Sequence, residues 1–356
     1  METLATQFDQ AVRNVTIHGE KHDRAVAAHT EVRALLERDP ELKEWGINSI
    51  LIGSYARHTA RYPGKDVDVF LRFESLTVRN DPAKVYAAVE RVLVAHYGLK
   101  GEDPNGRVTR QARSLNIDFP DADDPGGDQS FSVDAVPAVH WGENWGIPNR
   151  DRELWNNDDS RWIRTDPVRF ASDTADLSTA SWSPSIGATN AYCPIVRLLR
   201  QVRHIHLGQN KPGGLFVEVA AYYAWKTREV TGSSWAELLA STLAAVSRRF
   251  ATAATEGLLD PVLGTPMKPA LDPAQWASAS AVFADLAQKA ATALESERCM
   301  SAKTWRDILG TNDRGQVLPL PDGCDAGGFP ISAISAVDAV GSDQPRGFAL
   351  GFVALR

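Results

Sequence analysis

Apolar residues recur at helical spacing near the start of the chain. Leu4, Phe8, Val12 and Val15 share one face, with Thr3 placed to cap the helix that carries them. A second helical stretch holds Val26, Val32, Leu35 and Leu36. The period then changes to two. "INSILIG" and "DVDVFLRFE" alternate like strands, with "GSYARHTARYPGK" between them. Residues 81–96 read as a helix. "SLNIDF" puts Leu115, Ile117 and Phe119 on one side of a strand, "DADDPGGDQ" reads as a loop or hairpin connection, and "SFSVDAVPAV" reads as a strand ending near Pro137.

Beyond about residue 165 the period is helical again. Ile195, Leu198, Leu199, Val202 and Ile205 form one apolar face, with Arg197, Arg200 and His204 opposite it. Ser234 and Glu237 have the spacing of a capping box ahead of Leu239, Leu243, Val246 and Phe250. Asp272-Pro273 places a cap and a first-turn proline before Trp276, Phe283, Leu286 and Leu294. The expectation is an α+β fold: a sheet-containing lobe over 1–165 that includes the N-terminal helices, a helical lobe over 166–320, and a Gly-rich segment over 321–356 that reads as a hairpin or a loose tail. The tryptophans of 141–166 (Trp141, Trp145, Trp155, Trp162) read mainly as packing residues, and a base-stacking surface is the alternative.

Composition narrows the function. The net charge of −7 excludes a chain whose main task is to coat nucleic acid, so any polyanion site must be local. Cys193, Cys299 and Cys324 are scattered, without CxxC or zinc spacing, which fits a reducing cytoplasm. No signal peptide and no membrane-spanning run is legible, so no membrane partner is expected.

The candidate chemistry lies in Asp66-Val67-Asp68. On a strand both carboxylates project from one face while Val67 and Val69 enter the core. Two adjacent carboxylates repel, and a divalent metal compensates them. Asp134, a lone acid between apolar residues on a later strand, is the natural third ligand. Gly53-Ser54 supplies a turn whose amides and hydroxyl suit a phosphate. Neither a Walker loop nor a GxGxxG is present. Taken singly, each feature also has a structural reading: a solvated strand face, a plain turn, a hydrogen-bonded structural aspartate. The ordered series favours the metal-dependent site.

These stretches resemble the DNA polymerase β-like nucleotidyltransferase superfamily. Within it they look like the bacterial CD-NTases, relatives of cyclic GMP-AMP synthase and oligoadenylate synthase. "GSYARHTA" with "DVDVF", "VDAVPAV", "WIRTDP", "NAYCPIVRLLRQVR", "KPGGLFVEVAAYYAW" and "AKTWRDILG" carry the resemblance over residues 45–315. It implies two lobes with the active site in the cleft between them. Asp66, Asp68 and Asp134 would be catalytic and would bind two Mg²⁺, with Mn²⁺ able to substitute. Gly53, Ser54, Arg200 and Lys211 would bind nucleotide. A solvated basic face is the alternative for Arg197 and His204. His58 stands where many relatives have glycine, and Gly214 lies close to where relatives often carry serine. No zinc ribbon is legible, so no duplex DNA requirement is expected. The Leu355-Arg356 ending does not suit C-terminal conjugation to a partner.

The activity implied is synthesis of a cyclic di- or trinucleotide second messenger from NTPs, ATP among them, with release of pyrophosphate. It would serve anti-phage (CBASS-type) signalling, with a downstream effector binding the product. The alternatives are a transferase acting on an RNA end, one modifying a partner protein, and a silent fold used as a binding module.

Overall fold

Alternation along two long strands decides which way the sheet faces. The structure, a computed structural model, describes residues 2–64, 66–121, 123 and 130–331. In chain order the helices and strands are α1 (Ala5–Val15), α2 (Glu20–Leu36), α3 (Pro40–Glu44), β1 (Ile47–Leu51), α4 (Gly53–Ala56), β2 (Asp66–Thr77), α5 (Pro82–Tyr97), β3 (Val108–Arg110), β4 (Leu115–Phe119), β5 (Phe131–Trp141), β6 (Asn144–Pro148) and β7 (Trp162–Thr165). Helices then dominate: α6 (Pro167–Thr179), α7 (Tyr192–Leu207), α8 (Gly214–Lys226), α9 (Trp235–Glu256), α10 (Pro273–Glu295) and α11 (Arg298–Leu309). This is the expected α+β architecture with a helical second part. Among the described residues no helix is long and apolar enough to cross a membrane.

The sheet runs β1-β2-β5-β4-β3, with β6 and β7 added beside the far end of β5. β2 and β5 are parallel and the other pairings are antiparallel. Val67, Val69, Leu71 and Phe73 of β2 join Val133 and Ala135 of β5 in one core with α2 and α5. The opposite face carries Phe70, Ala138, Trp145 and Ile147, a smaller apolar cluster. Asp68 and Asp134 therefore sit on the face turned away from the α2/α5 core.

β5 runs on to Trp141, beyond the stop expected at Pro137. It changes neighbours on one edge: Leu115↔Ala135 is the last pair with β4, and Val139↔Gly146 begins the pairing with β6. Pro137 falls between them, where a residue without an N–H is tolerated.

The helical core takes in Leu4 and, from α1, Phe8, Ala11 and Val15, with Phe8 edge-on to Trp305 at 5.0 Å. α1 thus packs with the second lobe, not with the sheet lobe as the boundary at 165 implied. Thr3 does not cap it: Leu4, in the left-handed region at φ 48°, holds the N-cap position. Val26 of α2 is exposed. The Asp272–Gln275 capping box closes on both sides. Ser234 accepts from the Glu237 amide, whereas the Glu237 carboxylate reaches one residue further back, to Ser233.

Cys299 and Cys324 form a disulfide that ties the segment after α11 to that helix, which corrects the expectation that the cysteines fit a reducing cytoplasm. Of the Gly-rich segment expected over 321–356, the part beyond Ile331 lies outside the described residues, as does most of "DADDPGGDQ". Trp145, Trp155 and Trp162 are buried, consistent with packing.

Candidate active site

The β2–β5 register brings the acids together. Asp68 lies directly beside Asp134, and Asp66 beside Ser132. Asn116 of β4 donates from Nδ2 to Asp134 Oδ1 at 2.8 Å, and Ser132 Oγ donates to Asp66 Oδ1 at 3.0 Å. Burial pushes the Asp68 carboxyl up to about 6, with the negative charges of Asp134 and Asp66 adding to the rise. Asp134 is also raised, by burial first and by Asp66; Asn116 opposes the shift. Carboxylates that hinder one another's ionisation are the electrostatic signature of a site made for a cation.

Asp68 and Asp134 line a cavity of about 780 Å³ between the sheet face and the helical part. Asp66, exposed at the first residue of β2, lies outside its lining. Gly53 and Ser54 line it from the start of α4. Gly53 has φ +68°, and a Cβ there would fall 2.0 Å from Asp68 Oδ2. Only glycine lets the chain turn this closely over the carboxylate. The first amides of α4 lack intrahelical acceptors and suit phosphate oxygens. His58, just after α4, takes a left-handed φ of 56°.

The donor set suits a hard divalent cation: three carboxylates on one face of two adjacent strands, two of them in the cavity wall. Among the described residues no three acidic, imidazole or thiolate groups close into a ready-made metal cluster. Repulsion between uncompensated carboxylates, with Ser132 and Asn116 each holding one oxygen, is the physical reason for that open arrangement.

The floor of the cavity is a buried ionic knot. Glu218 of α8 accepts from Arg57 Nε at 2.7 Å and Nη2 at 3.1 Å, from Thr59 Oγ1 at 2.7 Å, and from Arg200 Nη1 at 3.3 Å. Burial raises the Glu218 pKa, but Arg57, Arg200 and Thr59 outweigh it and hold the carboxyl below its ordinary value. For Arg57, burial works against the charge and Glu218 more than offsets it. For Arg200 burial prevails, aided by Arg57, and its pKa is lowered. Arg200 thus lines the cavity. Lys211 does not: it is exposed on the α7–α8 turn, away from the lining. Gly214 lies beside Arg200, where a Cβ would come within 3.6 Å of Nη2.

Sequence reasoning missed Arg57, Glu218, Arg113 and Arg150, all of which line the cavity. Glu218 carried a signal, being a lone acid in the apolar run "LFVEVAAYYAW". Arg57 is embedded in the "GSYARHTA" stretch. Arg113 and Arg150 belong to no motif.

No protein-family model matches the chain, nor does any curated protein sequence. Solved structures do. The Bradyrhizobium diazoefficiens CD-NTase CdnG in complex with GTP superposes with a TM-score of 0.64 at 16% identity, over 86% of this chain and 94% of that one. Escherichia coli MS115-1 CdnC with ATP gives a TM-score of 0.63 at 14% identity, over 86% and 98%. Vibrio cholerae DncV cyclic AMP-GMP synthase, in complex with the linear intermediate 5′ pppA(3′,5′)pG, gives 0.57 at 12% identity, over 83% and 92%. The chain shares the fold of these CD-NTases: a mixed sheet joined to a helical lobe.

Proposed function

We propose that the chain is a metal-dependent nucleotidyltransferase. It joins nucleoside triphosphates, ATP among them, into a cyclic di- or trinucleotide second messenger and releases pyrophosphate. It acts in the cytoplasm in anti-phage signalling, with a downstream effector that binds the product. One observation carries the reading: Asp68 and Asp134 stand side by side in a cleft whose adjoining wall is the Gly53-Ser54 turn. The structural neighbours, which include a cyclic AMP-GMP synthase caught with a linear dinucleotide, support the same reading.

Asp66, Asp68 and Asp134 would hold two Mg²⁺, or Mn²⁺ in their place, and the ions when bound supply charge neutralisation at the phosphates and activation of the attacking hydroxyl. The chain's own residues do the rest. The Gly53 and Ser54 amides and the Ser54 hydroxyl bind the donor's phosphates, and Arg200 adds positive charge beside them. Asn116 occupies one oxygen of Asp134, leaving the other to draw the proton from the acceptor hydroxyl. The cleft holds both reactants in line, so most of the acceleration comes from positioning and charge. The net charge of −7 weighs against a transferase that grips long RNA.

The test is a product assay. Purified protein is incubated with all four NTPs and Mg²⁺ or Mn²⁺, treated with phosphatase, and the surviving species identified by mass spectrometry. A phosphatase-resistant cyclic oligonucleotide is expected, absent from the Asp66→Asn, Asp68→Asn double variant. A product made equally by the double variant would overturn the assignment of the site. Linear extension of added RNA in place of a cyclic product would establish the RNA-end alternative.

A further inference from the structure

Among the described residues, two arginines face the cavity without a hydrogen-bond or ion-pair partner. Arg113 lies in the β3–β4 turn and Arg150 just after β6. The change of neighbours along β5 brings them together, because β4 ends at the pair Leu115↔Ala135 while β6 approaches the same strand from Val139. Neither side chain forms a hydrogen bond or ion pair with any described residue. Both residues are exposed, yet the concave wall crowds the Arg113 guanidinium. Crowding lowers its pKa, Arg150 lowers it further, and Asp68 partly opposes the shift. Two like charges brought within each other's field, with no ion-pair partner among the described residues, call for an anionic ligand.

The backbone that presents Arg113 is held firmly. Tyr86 Oη donates to the Gln111 and Ser114 carbonyls at 3.1 and 3.0 Å. Arg152 donates to the Gln111 carbonyl at 2.7 Å, with its guanidinium over the Tyr86 and Trp155 rings. The turn is therefore fixed while the arginine it carries stays free, which is how a binding group is pre-organised.

Its place in the sheet says which reactant it meets. The phosphate-binding turn joins β1 to β2, the carboxylates lie on β2 and β5, and Arg113 lies beyond them, between β3 and β4. Bond formation occurs at the carboxylates, so a group on the far side belongs to the other reactant. We propose that Arg113 and Arg150 bind the 5′-phosphates of the acceptor nucleotide, so that the enzyme selects a phosphorylated acceptor over a bare nucleoside. The acceptor role rests on the transferase reading; the binding of a phosphate-bearing ligand does not.

The experiment titrates wild type and the Arg113→Ala, Arg150→Ala double variant with ATP, and separately with adenosine, in EDTA at low salt. Without a divalent ion the acidic cluster repels a triphosphate at the Gly53-Ser54 turn, so the ATP titration reads the arginine wall. ATP affinity is expected to fall at least about tenfold in the double variant, with adenosine unaffected, as for lost charge-assisted hydrogen bonds. In turnover, the KM for a 5′-triphosphate acceptor should rise while that for a nucleoside acceptor stays put. Equal ATP affinity in the two proteins would overturn the proposal. So would an equal loss for adenosine, which would assign the arginines to the base or sugar. ATP binding lost as expected, in a wild type that forms no phosphodiester bond, would overturn the transferase reading and leave the phosphate site standing.

Discussion

Asp68 concentrates the physics of the site in one side chain. Its ordinary pKa of 3.8 is raised to about 6, so its ionised form works against the metal-free fold. The stabilising contribution of its protonated form is complete below pH 3.8 and is lost as pH climbs through about 6. Asn cannot ionise and escapes that loss. Asp68→Asn should therefore make the metal-free protein more stable than wild type at pH 7.5, by about 1–3 kcal/mol for a shift of this size. The gap should close as pH falls below about 4. Adding Mg²⁺ should raise the melting temperature of wild type and barely move the variant. Thermal melts across pH, with and without Mg²⁺, check this; a variant less stable than wild type at pH 7.5 would show that Asp68 has a structural role instead. At this scale the sequence was informative where residue types carry their reason with them. Asp66, Asp68, Asp134 and Gly53 could be singled out by alternation and spacing. Arg113 and Arg150 could not, because what makes them notable is the lack of a partner, a property of the fold.

Elements explain the rest of the site. α8 carries a wholly buried carboxylate, and the loop that follows α4 and helix α7 converge on it. Replacing Glu218 by Gln leaves Arg57 and Arg200 facing each other without a counter-charge. Loss of one member of a buried ionic group costs about 3–5 kcal/mol, so the urea midpoint of Glu218→Gln should drop sharply. An unchanged midpoint would mean that the two arginines find other acceptors. Most helices and strands were legible, since period-two and helical patterns are set by the burial of one face. The extents were less so. β5 outruns Pro137 because its edge changes partner there, and Lys211 misses the cleft because the α7–α8 turn points it outward. Neither fact resides in local sequence.

At the scale of the whole molecule, the order of lobes along the chain was legible and the membership of α1 was not. An amphipathic helix announces that it will bury a face, but not against what. Here the face is buried among α7, α9 and α11, with the Glu2 amide bonded to the Leu294 carbonyl at 3.0 Å. A fragment spanning residues 166–331 should consequently lack a sharp thermal transition and bind a hydrophobic dye, and a peptide of residues 2–18 added in trans should suppress the dye signal. Calorimetry and dye fluorescence check this; a cooperative melt of the bare fragment would show that α1 is dispensable.

The packing of Phe8 on Trp305 also sets a timetable. The sheet lobe is a guest inserted into the sequence of its host, so the host cannot close until α11 has been made. At ribosomal speeds of about 5–20 residues per second, α1 waits roughly a quarter of a minute to a minute for its partner. During that interval the guest can fold first, and the apolar face of α1 is the surface that a chaperone would meet on the nascent chain.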